Sequence, residues 1–248
     1  MGIQSAHQSI TVSQTLKKYV RTKYSRALIY LPNGCPEVKR LKSSATLARF
    51  GLRKNEYFLS VSRLIRHKGI HTLIKAYRKL RTTKKLVIVG DGAFTESYVR
   101  ELRGLADGDR RIVFVGNQTG RALAELYSHA YVFVQPSEAE GMSIALLEAL
   151  AYGRPALVSD IDANKEVLGS AMLTFRNKQV RDLTNKLKFL AKHPEQVAAM
   201  SRAARHIVQR YQWKGIVNGT EALYRLKINE VEVLPMFVSR KMLEARVK

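Results

Sequence analysis

From about residue 56 onward, short apolar runs alternate with longer stretches in which apolar residues recur every three or four positions. The runs at 57–61, 86–89, 112–115, 131–134, 156–159 and 171–175 are largely apolar without strict alternation. That pattern fits strands buried on both faces rather than one. The stretches near 69–81, 94–105, 119–129, 142–152 and 163–168 carry helical spacing instead. Strand and helix in alternation, joined by short loops, predict an α/β fold: a Rossmann-like parallel sheet with helices on both faces. In such sheets ligands bind at the C-terminal ends of the strands, so the loops after these runs are where chemistry is expected.

The flanks read differently. Residues 179–228 are helical in pattern, broken at His193-Pro194, and 229–248 form a basic, weakly patterned tail. At the other end, 9–14 reads as a strand, 15–23 as a helix and 27–31 as a strand, before the turn Pro32-Asn33-Gly34. Three segments are expected: 1–34, a main domain over 35–228, and the tail over 229–248.

Composition narrows the class. With 46% hydrophobic residues, 248 residues can bury a substantial core. No apolar run approaches a membrane span, and no signal-peptide pattern is visible at the N-terminus. One cysteine, Cys35, rules out an internal disulfide framework and fits a reducing cytoplasm. The formal charge is +23, and it sits mainly on the flanks: residues 1–50 carry 9 Lys+Arg against 1 acid. An anionic membrane surface is one partner that such charge suits. A solvated basic surface is another reading. Nucleic acid ranks last, because no helix-turn-helix, zinc-finger or RRM signature accompanies the charge.

The chemistry concentrates after the run at 131–134. Glu140 lies in the loop that follows, and Glu148 lies eight residues on, in the next helical stretch. At about 1.5 Å rise per residue, the two carboxylates are roughly 12 Å apart or less along one face. Gly141, Met142, Ser143 and Ile144 lie between them, where a helix N-terminus offers free N–H groups and a dipole that attract phosphate. After the run at 57–61, Arg63 and Lys68 project toward the same strand ends, where two cations can stabilise a leaving diphosphate. They are equally readable as loop cations in a cation-rich chain. Gly90, in Val89-Gly90-Asp91-Gly92, permits either close approach of backbone to a ligand or simply a tight turn. The tripeptides Asp107-Gly-Asp109 and Asp160-Ile-Asp162 invite a metal reading. The first sits in a polar turn and the second is expected to cap the helix starting near Ala163, so no metal site is expected.

The whole string from Glu140 through Gly141, Ser143, Glu148 and Gly153-Arg-Pro155 to Ser159-Asp160 resembles the Glu-x7-Glu signature of family 4 (group 1) glycosyltransferases. These are retaining enzymes of the GT-B fold. Arg63-x4-Lys68-Gly69 matches the family's Arg-x4-Lys-Gly pattern. The Pro32-Asn33-Gly34 turn resembles the family's entry into its C-terminal domain, and Trp213 resembles an aromatic that precedes the last helix and is expected to pack. The resemblance covers nearly the whole chain but only the donor half of such an enzyme. It implies a largely missing N-terminal acceptor domain, with 1–34 as its remnant. It further implies a hexosyltransferase of polysaccharide biosynthesis, moving a sugar from a nucleotide diphosphate to a glycan or lipid-linked acceptor. In that reading Arg63, Lys68 and the N–H groups at 142–144 hold the diphosphate, and Glu148 the ribose. Glu140 faces the sugar, and the base lies near Gly116 and Asn117. No metal or cofactor is implied. The expected location is cytoplasmic, peripheral at the inner face of the membrane. Two alternatives stay open. The chain is a nucleotide-sugar-binding fragment or subunit needing a partner chain, or a basic membrane or nucleic-acid adaptor that retains the fold.

Overall fold

The computed structural model describes residues 9–237 apart from Ala93, with the side chains of 226–237 excluded. Its centre is a six-stranded, wholly parallel sheet. A separate two-stranded parallel pair, β1 (Ile10–Thr11) and β2 (Ile29–Tyr30), flanks the helix α1 (Gln14–Tyr24). A short helix α2 (Ala45–Arg49) then leads into the alternation. This runs β3 (Tyr57–Val61), α3 (Ile70–Tyr77), β4 (Lys85–Val89), α4 (Glu96–Ala106), β5 (Ile112–Phe114), α5 (Gly120–His129), β6 (Val132–Gln135), α6 (Ile144–Ala151), β7 (Ala156–Ser159), α7 (Asp162–Leu168) and β8 (Leu173–Phe175). Three helices close the described chain: α8 (Val180–Lys192), α9 (Pro194–Val208) and α10 (Trp213–Phe237).

The strand order is β5-β4-β3-β6-β7-β8. The chain winds outward one way from β3 and the other way from β6, so the order reverses between those two neighbours. That reversal opens a crevice at the C-terminal ends of β3 and β6. Covering helices explain the run-like strands: Tyr57, Phe58 and Leu59, with Val132, Phe133 and Val134, are all fully buried. Helix α3 packs on α8, and α6 packs on α9.

All six main strands fall where the apolar runs predict them. The ends shift by one or two residues, the usual scatter of such boundaries. The helix expected over 69–81 is shorter and ends at Tyr77. Asp162 is not a cap as expected. It lies inside the first turn of α7, after Ile161, which makes no side-chain cap bond. The break at His193-Pro194 is present, because proline cannot donate the amide that a continuous helix needs but suits a first helical turn. Helix α10 runs past position 229, where the basic tail is expected to begin, and continues through Phe237. Residues 1–8 and 238–248 lie outside the described residues. Trp213 is half exposed and lays its ring against Gly34, where even a Cβ would come within 2.4 Å of it.

Candidate functional site

The loops after β3 and β6 build the crevice. Strands β3 and β6 pair Phe58 with Val132 and Leu59 with Phe133, so both chains leave the sheet at the same edge. After β3 the loop runs through Arg63 into a single 3₁₀ turn, Arg66–Lys68, and stops at Gly69. Gly69 has φ +69°, and a Cβ there would lie 2.0 Å from the carbonyl oxygen of Pro136. Only glycine lets the two loops approach this closely. The amide of Glu138 then donates to the carbonyl of His67 at 2.7 Å. Clamped in this way, Lys68 Nζ donates to Glu140 Oε1 at 2.7 Å, with both side chains largely buried.

The cleft so formed encloses about 260 Å³. It brings together Arg63, Lys68, Glu140, Met142, Ser143 and Ile144, all expected from sequence. Arg63 is exposed, and no ion pair holds its guanidinium among the described residues. Helix α6 begins at Ile144, slightly later than expected, with Ser143 as its cap. Ser143 Oγ accepts the amide of Leu146 and donates to Gln135 Oε1 at 2.6 Å. Gln135 Nε2 donates to Asn164 Oδ1 at 2.8 Å, and Asn164 Nδ2 in turn donates to the carbonyl of Ser159 at 3.0 Å. This buried chain of bonds fixes the start of α6 to β6 and β7. The first two helical amides, of Ile144 and Ala145, take no acceptor among the described residues. They are therefore offered to the cleft together with the positive end of the helix dipole. The buried hydroxyl of Ser62, also on the cleft wall, has no partner among the described residues. A buried polar group left unsatisfied costs about 1–3 kcal/mol, so a ligand that satisfies it gains on binding.

Other expected residues lie apart from the cleft wall. Glu148 sits half-buried on α6 and accepts the Tyr127 hydroxyl at 3.0 Å. Burial raises its pKa above the ordinary carboxylate range, against the pull of the Tyr127 bond. Gly90 holds φ +128°, and a Cβ there would lie 1.8 Å from the carbonyl oxygen of Ser62. Its amide donates to the carbonyl of Gly116 at 2.9 Å, which ties the ends of β4 and β5 together ahead of Asn117. Gly141 faces the N-terminal segment, with a virtual Cβ 3.7 Å from Leu16. Met142 is buried and is also tied to that segment, since Asn33 Nδ2 donates to its carbonyl at 3.3 Å. Arg66 turns away to pair with Glu101 over the Tyr98 ring. Asp109 grips Arg111, and Asp160 accepts the amide of Asn177, so each Asp-x-Asp motif has a local structural task.

Sequence reasoning missed Gln135, Ser60, Ser62 and Ser137, which also line the cleft. The available signal was positional, because each is a polar residue ending or just following an apolar parallel strand, where ligands bind. It also missed the contact of Glu138 with Lys178 Nζ at 3.0 Å and with His71. These residues are distant in sequence and meet only through the fold.

A doubly wound sheet with this crevice is consistent with a GT-B C-terminal domain, and comparison with known proteins agrees. The sequence profile of the glycosyl transferases group 1 matches residues 46–207, about two thirds of the chain, and the chain belongs to that family. An uncharacterized glycosyltransferase of Methanocaldococcus jannaschii is 29% identical over 185 residues, covering 68% of this chain and 44% of its own length. The O-antigen chain mannosyltransferase RfbU of Salmonella typhimurium is 27% identical over 201 residues, 80% of this chain and 55% of RfbU. The chain thus spans about half the length of these curated relatives. In structure it is similar to Anabaena HepE in complex with UDP and glucose. The TM-score is 0.82 at 21% identity, over 90% of this chain and 65% of HepE.

Proposed function

We propose that this chain is the donor-binding half of a retaining hexosyltransferase that uses a nucleotide diphosphate sugar. The observation that carries the reading is the meeting of Arg63, Lys68, Glu140 and the free amides at the start of α6 in one cleft. HepE, alike in fold, has been seen with UDP and with UDP-glucose. In the proposed complex the diphosphate lies on Arg63, Lys68 and the amides of Ile144 and Ala145. Cations and fixed dipoles stabilise the negative charge that develops on the leaving group, so the reading needs neither metal nor cofactor. Glu140 faces the sugar and stabilises positive charge growing at the anomeric carbon. Glu148 accepts from the ribose hydroxyls, and the base lies toward Gly90, Gly116 and Asn117. The acceptor hydroxyl enters on the face from which the nucleotide leaves, which retains configuration.

The acceptor in this reading is a glycan or a lipid-linked saccharide, as the relatives named for O-antigen and for phosphatidylinositol mannoside suggest. Peripheral contact with an anionic membrane on its cytoplasmic side belongs to the same proposal. Helix α1 presents Lys18, Arg21 and Lys23 with exposed Tyr19 and Tyr24, and has no acid. Basic residues interleaved with tyrosine suit an anionic headgroup layer. No helix among the described residues is long and apolar enough to cross a membrane.

Isothermal titration with UDP, GDP and ADP tests the donor site. One of the three is expected to bind, and binding is expected to weaken in Arg63→Ala. Binding of none, together with tight binding to anionic vesicles, supports the adaptor reading instead.

A further inference from the structure

We infer that Glu140 competes with the donor diphosphate for Lys68, so that donor binding and release of the Glu140 carboxylate are a single event. The inference rests on the donor-site reading above and adds a gating step to it. Its basis is the pair itself. Lys68 and Glu140 meet at 2.7 Å with side-chain exposures of 16% and 9%. The pair lies on the wall of the cleft and not beside it. Each group serves as the other's counter-ion where little water reaches either. Removing one partner from a buried pair is costly because the remaining charge is left uncompensated.

A diphosphate changes the balance. It brings at least two negative charges, and Arg63 is available to meet it first, since no ion pair holds that guanidinium among the described residues. With phosphate oxygens in the cleft, Lys68 has a stronger anion within reach. Glu140 then loses its cation and gains a like-charged neighbour. Both effects drive the carboxylate toward any donor hydroxyl or positive centre nearby. A nucleotide sugar offers one in its sugar ring, and a bare nucleotide diphosphate does not. The ion pair thereby keeps Glu140 neutralised while the cleft is empty and frees it when a sugar is present to receive it. It also selects for the intact donor over the spent nucleotide, because only the donor compensates the carboxylate it displaces.

Two neighbouring carboxylates show that this pairing is particular to Glu140. Glu138, two residues earlier on the same loop, pairs with Lys178 and His71 and not with Lys68. Glu148, on α6, is held by the Tyr127 hydroxyl.

The test is a double-mutant cycle read by titration with the nucleoside diphosphate that the wild-type chain binds. Glu140→Gln keeps the shape of the side chain and replaces the charge that holds Lys68 with a weaker, neutral acceptor. It is expected to tighten that nucleotide by roughly three- to tenfold, the gain when a partly buried pair no longer has to be broken. In the Lys68→Met background the same change is expected to give no gain. Glu138→Gln serves as a control of equal charge change and is expected to leave affinity within about twofold. Thermal melting of each variant verifies folding. If Glu140→Gln leaves affinity unchanged or weakens it, competition is overturned. If it tightens binding equally in the Lys68→Met background, through-space repulsion and not competition is the cause. Either result leaves the donor site standing, whereas a wild-type chain that binds no nucleotide removes the donor site and this inference together.

Discussion

Two corners of the molecule hold glutamates out of water, and they treat the charge in opposite ways. At the corner where α5 meets α2, Glu125 is 1% exposed. Its carboxylate accepts the Thr46 amide at 2.8 Å, and Arg121 approaches at 3.4 Å. Donation by the Thr46 amide and by the Ser43 side chain lowers its pKa to about 2. Its hydrogen bonds close within the protein, and the charge stabilises the fold. On α6, Glu148 has one neutral donor among the described residues, and burial raises its pKa. Glu140 is held by one lysine that a ligand can also use. A carboxylate that closes its own hydrogen bonds is structural. One kept partly desolvated with capacity to spare is set up for something that arrives later.

The largest test of this contrast is catalytic. If the cleft supplies the donor side only, as proposed, the purified chain is expected to bind nucleotide but to transfer little or no sugar. Bringing donor and acceptor together in the right orientation supplies up to ~7–11 kcal/mol, and in the donor-half reading that contribution is lost. A radiolabelled-donor assay checks this, and robust turnover by the chain alone overturns the donor-half reading. Next in size is Lys68→Ala. Losing a charge-assisted hydrogen bond to phosphate costs roughly 1.5–3 kcal/mol, so nucleotide affinity is expected to fall at least about tenfold. Unchanged affinity by titration removes Lys68 from the phosphate site.

Much of this was legible in the sequence, for identifiable reasons. Parallel strands buried on both faces give apolar runs, and those runs fix the sheet. The Arg63-x4-Lys68-Gly69 and Glu140-x7-Glu148 spacings are local, and the structure places Arg63, Lys68 and Glu140 in one cleft. What was not legible depends on long-range packing. Helix α2 is five residues long, too short for a periodic signal. Its start is stabilised by Glu125, which is 79 residues away from Thr46 in sequence. The chain of bonds from Ser143 through Gln135 to Asn164 joins three separate segments. No spacing rule announces it. The pairing of Lys68 with Glu140 is likewise hidden, because the two residues lie 72 positions apart on loops that meet only through the fold.

On the structural side of the comparison, Glu125→Ala is expected to destabilise the fold by about 1–3 kcal/mol, since it strands the Thr46 amide. Nucleotide affinity is expected to stay as it was. The pH dependence has a definite sign. The folded pKa of about 2 lies below the ordinary 4.5. The stabilisation is therefore complete above 4.5 and is lost as pH falls from there toward 2. Denaturant melts at pH 6 and pH 3 are expected to show wild type losing more of its stability than Glu125→Gln. Equal losses place the charge outside the fold's stabilising set.

The smallest effect is also the one that separates the corners most sharply. Glu148 has a raised folded pKa, so the folded state holds its proton more tightly than the unfolded chain does. The ionised carboxylate therefore destabilises the ligand-free fold. That penalty is absent at pH below the ordinary value of 4.5 and grows as pH rises through the raised value. Glu148→Gln removes it while keeping an oxygen to accept from Tyr127. The variant is expected to melt slightly higher than wild type at pH 7 and at the same temperature near pH 4. A neutral amide is a weaker acceptor than a carboxylate, so the same substitution is expected to weaken nucleotide binding several-fold. Gain in stability with loss of affinity is what a charge held ready for a ligand produces, and Glu125→Gln is expected to show neither. If Glu148→Gln instead melts lower at pH 7 with affinity intact, Glu148 belongs with Glu125 as a structural carboxylate, and the ribose must find its acceptor elsewhere in the crevice.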